Sequence, residues 1–294
     1  MANLKAIRIR IASVKSTRQI TSAMKMVAAA RLRKAQDKIV RLRPYANKLY
    51  QILVAVSQSQ ADSEVTDIFS RKSAPEKILM VVITSNRGLC GAFNSNVIRE
   101  AKRMVSENYY DQYKNGNLWF MTVGKKGYDY FKKQKVKFFA EHNNLFNDLT
   151  FEKADLIAEN IMKRFVEGEF DRVDLIYNQF KNATVQNLTN EPFLPVETAP
   201  TGKLKTIPVD YIFEPEKEEI IRDLIPKSLK IQFYKAVLDS FVAENGARMT
   251  AMHKATDNAT EMIRDLTLQY NKARQAAITS QILEVVSGSE ALKG

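Results

Sequence analysis

Two long heptad-patterned segments, one at each end of the chain, constrain the fold more than any other sequence feature. In residues 3–57, apolar and small side chains recur at alternating steps of three and four, the spacing of a coiled-coil seam. They are Leu4, Ile7, Ile11, Val14, Ala28, Leu32, Ala35, Ile39, Leu42, Ala46, Leu49, Leu53 and Val56. A helix with this spacing needs a partner helix to cover its seam.

The same spacing returns near the other end of the chain, which predicts a long antiparallel two-helix coiled coil. Its positions are Leu238, Val242, Asn245, Met249, Met252, Thr256, Ala259, Ile263, Leu266, Tyr270, Ala273, Ala277 and Ser280. Many are small, and at about 25 cal/mol per Å2 a small seam residue stabilises the pair less than Leu or Ile. We expect a thin coil that projects beyond a globular domain. Two ordinary core helices are the alternative, and the length of both segments disfavours it.

The first seam is interrupted once, in the middle of its N-terminal half. Polar residues hold the heptad positions at Arg18, Thr21 and Lys25, and the apolar residues shift to a neighbouring face at Ile20, Met24 and Val27. A helix with two apolar faces needs two different neighbours. One is the coiled-coil partner, and the other must be supplied from elsewhere.

Between the two segments the pattern changes to alternating strands and helices. Apolar runs at residues 78–83, 118–123, 136–140 and 173–178 predict strands, and apolar residues at helical spacing lie between them. This alternation predicts an inserted α/β domain, Rossmann-like, with a mostly parallel sheet covered on both faces. Residues 184–213 are punctuated by proline and predict edge strands or loops.

The predicted boundaries follow from these patterns. Residues 1–60 form the N-terminal coiled-coil helix, 61–76 a polar linker, 77–215 the α/β domain, and 216–294 the C-terminal helical segment. Glu214 and Pro215 predict the start of a short helix. Pro226 predicts the first turn of the final long helix, because proline is best tolerated there.

The net charge of +12 is concentrated at the N-terminus, where residues 1–60 hold 13 basic side chains and one acidic one. A basic helix can bind nucleic-acid phosphates or an acidic protein surface. It can also be a mitochondrial targeting peptide, although the heptads continue past any plausible cleavage point. A merely solvated helix face is the fourth interpretation, and it would normally carry both signs of charge.

The sequence contains no recognisable catalytic motif. Residues 85–94 join a strand to a helix, as phosphate-binding loops do, but they match no nucleotide-binding pattern and predict a tight structural turn. The single cysteine, Cys90, excludes an intramolecular disulfide and is expected to be buried. His142 and His253 belong to no ligand motif, so neither a metal nor a cofactor is expected. No apolar run is long enough to span a membrane, and the chain is not expected to be an enzyme by itself.

Four stretches resemble one known family. Residues 11–29 (IASVKSTRQITSAMKMVAA) closely resemble the opening helix of the gamma subunit of bacterial-type rotary ATP synthases. Residues 271–279 (NKARQAAIT) with 284–288 (EVVSG) are similar to its closing signature, and 85–91 (SNRGLCG) and 211–215 (YIFEP) to its internal motifs. Gln281 and Ser289 depart from that pattern, where the family usually has an acid and an alanine.

The resemblance implies a non-catalytic central rotor shaft, one copy per complex, without bound nucleic acid. Its partners would be three alpha and three beta subunits, the epsilon subunit and the membrane rotor ring, at the cytoplasmic face of the bacterial cell membrane. The complex makes or hydrolyses ATP coupled to ion transport. We expect the catalytic head to contact Met24, Lys25, Arg33, Arg274, Gln275 and Thr279, the last three by resemblance. We expect Tyr211, Phe213 and Glu214 at the ring end.

Two rival functions remain open at this point. A nucleic-acid-binding coiled coil would use the basic helix on phosphates and show a steep salt dependence. A nucleotide-binding α/β enzyme would bind its ligand at the Arg87–Gly91 loop.

Overall fold

The structure is a computed structural model that describes residues 4–58, 69, 74–196 and 217–291, without the side chains of 50, 53–58 and 217–222. The chain divides into two compact units. The helical unit comprises Met1–Ala28 and Met249–Gly294, and the α/β unit comprises Ala29–Arg248.

Two long helices, α1 (Leu4–Gln58) and α6 (Lys217–Ala291), contribute to both units. They run antiparallel, because Thr21 and Arg43 of α1 contact Thr256 and Asp239 of α6, in the opposite order. This confirms the predicted coiled-coil pair.

The prediction of a separate short helix before Pro226 is wrong for the described residues. Helix α6 already begins at Lys217, so Pro226 lies inside it rather than in its first turn. An internal proline removes one backbone hydrogen bond. Ile225 and Leu229 on either side are only 2% and 3% exposed, and their burial in the α/β unit stabilises this turn. Helix α1 likewise continues through Pro44.

The α/β unit contains one five-stranded sheet in the order β3-β2-β1-β4-β5. The strands are β1 (Ile78–Ile83), β2 (Leu118–Val123), β3 (Lys137–Glu141), β4 (Arg172–Phe180) and β5 (Gln186–Leu194). The helices between them are α2 (Phe93–Glu107), α3 (Tyr110–Lys114), α4 (Lys125–Lys133) and α5 (Phe151–Val166). All neighbouring strands are parallel except β4 and β5, which places the predicted edge strand at the end of a mostly parallel sheet.

Both faces of the sheet are covered, as the apolar strands predict. Alternate residues of β1 face opposite sides, so Leu79, Val81 and Ile83 pack against α5 and α6. Ile78, Met80 and Val82 instead pack against α2 and Phe131 of α4. In α1, the seam residues Leu32, Ala35 and Ile39 are buried in this unit as well. No described helix is both long and apolar enough to cross a membrane.

Candidate partner-contact site

The helical unit is packed along the predicted seam. Ala28, Met252, Ala259 and Leu266 are buried, and Leu4, Ile7, Ile11 and Val14 are half-buried. The seam also continues through its polar interruption. Thr21 is only 9% exposed, and Thr256 Oγ1 donates a hydrogen bond of 2.9 Å to Thr21 Oγ1. Two threonines therefore replace an apolar contact where the helices approach through small side chains.

A second apolar surface of α1 lies beside this seam and is left exposed by the residues that the structure describes. Ile20 and Val27 are 57% and 53% exposed, and we call these two residues the open face. Met24, the third residue of the predicted second face, is half-buried, and so is Lys25 at its heptad position. Both are predicted to contact the head. The structure thus exposes two of the three residues of the second apolar face that the sequence predicted, Ile20 and Val27, whereas Met24 is half-buried.

The other predicted head contacts of the helical unit lie farther along α6. Arg274, Gln275 and Thr279 are exposed. Counting from the Thr21–Thr256 contact, Arg274 lies about 30 Å along the coil from Met24, at 1.5 Å per residue. The predicted residues therefore lie at two separate positions along the coil rather than in one cluster.

The last turns of α6 form a third exposed surface, which contact predictions from the sequence did not include. By the same count Ala273 is level with Leu4, the first described residue of α1, and α6 continues to Ala291. Its apolar side chains there are 47–72% exposed: Ile278, Ile282, Leu283, Val285 and Val286. An apolar helix end of this kind needs a surrounding protein surface to cover it.

Arg33 belongs to the α/β unit, where it is exposed on α1 next to the buried residue Leu32. The predicted ring-end residues Tyr211, Phe213 and Glu214 lie outside the residues that the structure describes.

Inside the α/β unit, a partly buried ion pair joins the two long helices. Arg43 Nη2 of α1 lies 2.5 Å from Asp239 Oδ1 of α6 and donates to the carbonyl oxygen of Phe180 at 2.6 Å. The Asp239 side chain is fully buried, and burial raises the pKa of its carboxyl while Arg43 opposes that rise. One guanidinium therefore fixes α1, α6 and the end of β4 to one another.

A buried arginine, Arg248, attaches the β1–α2 loop to α6. Arg248 Nη2 donates to the carbonyl oxygen of Arg87 at 3.0 Å, and Arg248 Nη1 lies 2.5 Å from Glu244 Oε1. Burial raises the pKa of Glu244, whereas Arg248 lowers it. Arg248 therefore attaches this loop to α6 through a carbonyl oxygen of the loop.

Cys90 is buried within the same loop and makes polar contacts there. Its side chain is 1% exposed and accepts a hydrogen bond from Asn94 Nδ2 at 3.3 Å. Ser85 Oγ lies 3.7 Å from the sulfur, and burial raises the pKa of the thiol. A thiol of this kind is a poor nucleophile. Among the described residues no group of three or more His, Cys, Asp or Glu side chains could hold a metal ion.

Sequence reasoning missed the residues that hold the α/β unit to the helices. Arg43 was counted only as part of the basic excess, and neither Asp239 nor Glu244 was singled out. A signal was present, because both acids interrupt an apolar stretch of α6 between Ala236 and Ala247. A charged residue in a buried helix face needs a partner, but its identity cannot be read from spacing along one helix.

Comparison with known proteins gives a consistent result over the whole chain. The family model described as ATP synthase matches residues 3–292. The ATP synthase gamma chain of Flavobacterium johnsoniae is 55% identical over 100% of both chains. The central stalk in the Tetrahymena thermophila mitochondrial ATP synthase structure is 26% identical, with a TM-score of 0.60, and the match covers 80% of this chain and 99% of that one. A chain of the Euglena gracilis mitochondrial ATP synthase has the same fold, at 22% identity and a TM-score of 0.68, over 98% of this chain and 94% of that one.

Proposed function

This chain belongs to the family of ATP synthase gamma chains, and on that premise we propose in detail how it acts as the central rotor shaft of the enzyme. It couples ion-driven rotation of the membrane ring to conformational cycling of three catalytic beta subunits. It is itself a non-catalytic subunit, present in one copy within a ring of three alpha and three beta subunits.

The observation that carries this proposal is the open face beside an intact seam. Ile20 and Val27 are more than half exposed, while Thr21 and Ala28, on the same turns of α1, are buried. A coiled coil in solution would normally present polar residues there. An apolar face next to basic side chains is suited to a protein housing that offers apolar and acidic surfaces.

The mechanism requires asymmetry and stiffness rather than an active site in this chain. A single shaft inside three equivalent beta subunits cannot contact all three alike, so differential contact energy biases the conformation of each. Met24, Lys25 and Arg33 would supply such contacts from α1, and Arg274, Gln275 and Thr279 from α6. Rotation then passes the bias from one beta subunit to the next.

Torque would enter at the opposite end of the shaft. Tyr211, Phe213 and Glu214 would lie at the ring together with the epsilon subunit, which places the chain peripherally on the cytoplasmic face of the bacterial membrane. One charge crossing 100 mV provides about 2.3 kcal/mol, so several crossings must be pooled for each ATP. The Arg43–Asp239 pair supports this proposal because it joins the sheet to both shaft helices.

The first experiment is to purify the native assembly through a tag on an alpha subunit and to count this chain by native mass spectrometry. We expect one copy with three alpha and three beta subunits. Its absence, or recovery of the chain bound to nucleic acid, would contradict the shaft proposal and favour the phosphate-binding alternative.

The proposed orientation is tested by cross-linking from single engineered cysteines. Because the native Cys90 is 1% exposed, an added surface thiol is the main reactive one. We expect Thr279→Cys to link to a beta subunit and Phe213→Cys to link to the ring or epsilon. The opposite result would reverse the orientation.

The contact residues are tested with a matched pair of variants. We expect Arg274→Ala with Gln275→Ala to lower ATP-driven ion pumping at least several-fold without loss of assembly. The control, Asn271→Ala with Lys272→Ala, alters two exposed neighbours on α6. Equal effects from both pairs would show that Arg274 and Gln275 are not torque contacts.

A further inference from the structure

A groove in the α/β unit is not used by the rotor function proposed above. It lies between α2 and α4, has a volume of about 570 Å3, and is lined in its half-buried part by Ile98 and Tyr130. Arg99 and Lys102 line it from α2, and Lys126 and Lys133 line it from α4, all four exposed. We call this the basic groove.

The four cations of the basic groove have no ion-pair or hydrogen-bond partner among the described residues. Arg103, the residue of α2 that follows Lys102, differs from them because its charge is paired. Arg103 contacts Glu100 at 2.6 Å and Glu107 at 2.7 Å on its own helix. One side of α2 is thus neutralised internally, whereas the side facing the groove keeps its charge.

We propose that the basic groove docks an acidic amphipathic helix of a partner protein. The two cations on α2 are three residues apart and those on α4 seven apart, so each pair lies on one side of its helix. Apolar side chains between two rows of cations complement a helix whose apolar stripe is flanked by Asp or Glu. Asp129, the one carboxylate of the lining, leaves the groove with a net positive charge.

A phosphate-bearing small molecule is a poorer occupant, because the backbone donors at the start of α4 are already engaged. Lys125 N donates to Asn86 Oδ1 at 3.1 Å, and Gly127 N donates to Thr84 Oγ1 at 2.8 Å. Lys126 N donates to the carbonyl oxygen of Ser85 at 3.0 Å. The N-terminal amides of α4, of the kind that usually bind a phosphate, are therefore occupied. A bilayer is also a poorer match, since its surface is flat and the groove is concave.

The test uses the photoreactive residue benzoylphenylalanine in place of Tyr130 in the full chain, made and irradiated in its native cells. The tagged chain is isolated under denaturing conditions, and adducts are mapped by mass spectrometry. We expect an adduct to a segment of another protein that carries net negative charge and has apolar residues at helical spacing. The position control is the same residue in place of Tyr110, which is 59% exposed on α3.

Charge reversal provides the second arm. Replacing Arg99, Lys102, Lys126 and Lys133 by Glu is expected to lower the adduct yield about tenfold, because complementary charges speed association. The matched control reverses four exposed lysines outside the groove: Lys114, Lys181, Lys227 and Lys254. It changes the net charge equally and should leave the yield unchanged.

Several results would overturn the proposal. An adduct to lipid, to a nucleotide, to a neutral or basic protein segment, or to this chain itself would each do so. So would a yield no higher than that at Tyr110, or an equal loss from both sets of charge reversals. The function as a rotor shaft would be unaffected in every case, because the groove contains none of the proposed head or ring contacts.

Discussion

Arg43 and Asp239, which are 196 residues apart in the chain, form an ion pair of 2.5 Å between α1 and α6. The Arg43 side chain is one-third exposed, whereas that of Asp239 is fully buried. Asp239 Oδ2 and Arg43 Nε have no further hydrogen-bond partner among the described residues. The guanidinium of Arg43 is therefore the ion-pair partner of this carboxylate among the described residues, and the more distant charge of Lys235 also favours its ionised form.

Removing that guanidinium should destabilise the α/β unit. We expect Arg43→Met to lower the free energy of unfolding by about 3 kcal/mol, because it leaves a buried, unpaired carboxylate. Urea denaturation followed by tryptophan fluorescence measures this, since Trp119 is the only tryptophan and lies on β2.

Two further variants distinguish the loss of the ion pair from the loss of the arginine side chain itself. Arg41→Met removes an exposed arginine from the same helix and should be nearly neutral. Arg43→Met combined with Asp239→Leu removes both charges and should recover much of the loss, because an apolar pair of similar size avoids the desolvation cost. A double variant as unstable as Arg43→Met would show that the ion pair itself is required.

The close approach of α1 and α6 at Thr21 gives a second prediction. Thr21→Leu should force the helices apart and destabilise the coil by about 1 to 3 kcal/mol, since the small seam has no room for a larger side chain. ATP-driven ion pumping by assembled complexes should fall as well. Thr17→Leu makes the same change at an exposed position of α1 and should leave pumping at the wild-type rate.

Arg248 gives a third prediction, which concerns the mobility of the β1–α2 loop. Arg248→Met removes the donor to the carbonyl oxygen of Arg87 and leaves Glu244 buried without its partner. We expect amide hydrogen exchange in residues 85–92 to accelerate at least tenfold, because the loop can then open locally. Arg103→Met, on exposed α2 surface, should leave exchange in that loop unchanged.

Cys90 gives a prediction about reactivity and pH. Its alkylation by iodoacetamide should be about a hundredfold slower in the folded chain than after denaturation, because burial requires local opening and disfavours the thiolate. Burial raises the pKa of this thiol. The folded state therefore holds the proton more tightly, and this contribution to stability is full below the unfolded pKa and is lost as the pH rises through the folded value.

The variant Cys90→Ser provides the control for this pH dependence. It should flatten the fall in stability at alkaline pH relative to the wild-type chain, measured by thermal unfolding at a series of pH values. Rapid alkylation of the folded wild-type chain at neutral pH would contradict the assignment of Cys90 as a buried structural thiol.

Local pattern was sufficient to predict most of the sheet. The runs at residues 78–83 and 118–123 coincide with β1 and β2, and β3 begins one residue later than expected. Such strands are buried on both faces, so continuous apolar runs identify them. The predicted start of the last helix near Pro226 was wrong. The burial of Ile225 and Leu229 outweighs the local preference of proline for the first turn of a helix.

The candidate site was predicted less completely. The open face at Ile20 and Val27 was visible because it breaks a heptad pattern along one helix. The ion pair of Arg43 with Asp239, the contact of Arg248 with the Arg87 carbonyl, and the basic groove join segments that are distant in sequence. No sequence pattern marks any of these side chains when its own segment is considered alone.

The sequence by itself determined the fold class, the pairing of the two terminal helices and the family, because these depend on periodicities and motifs contained within single segments. Only the tertiary structure decided the strand order, the level at which α1 meets α6, and which charges are buried. The physical reason is that a repeated heptad permits many registers, since small seam residues pack almost equally well in each. A buried charge permits one register, the one that places Arg43 beside Asp239.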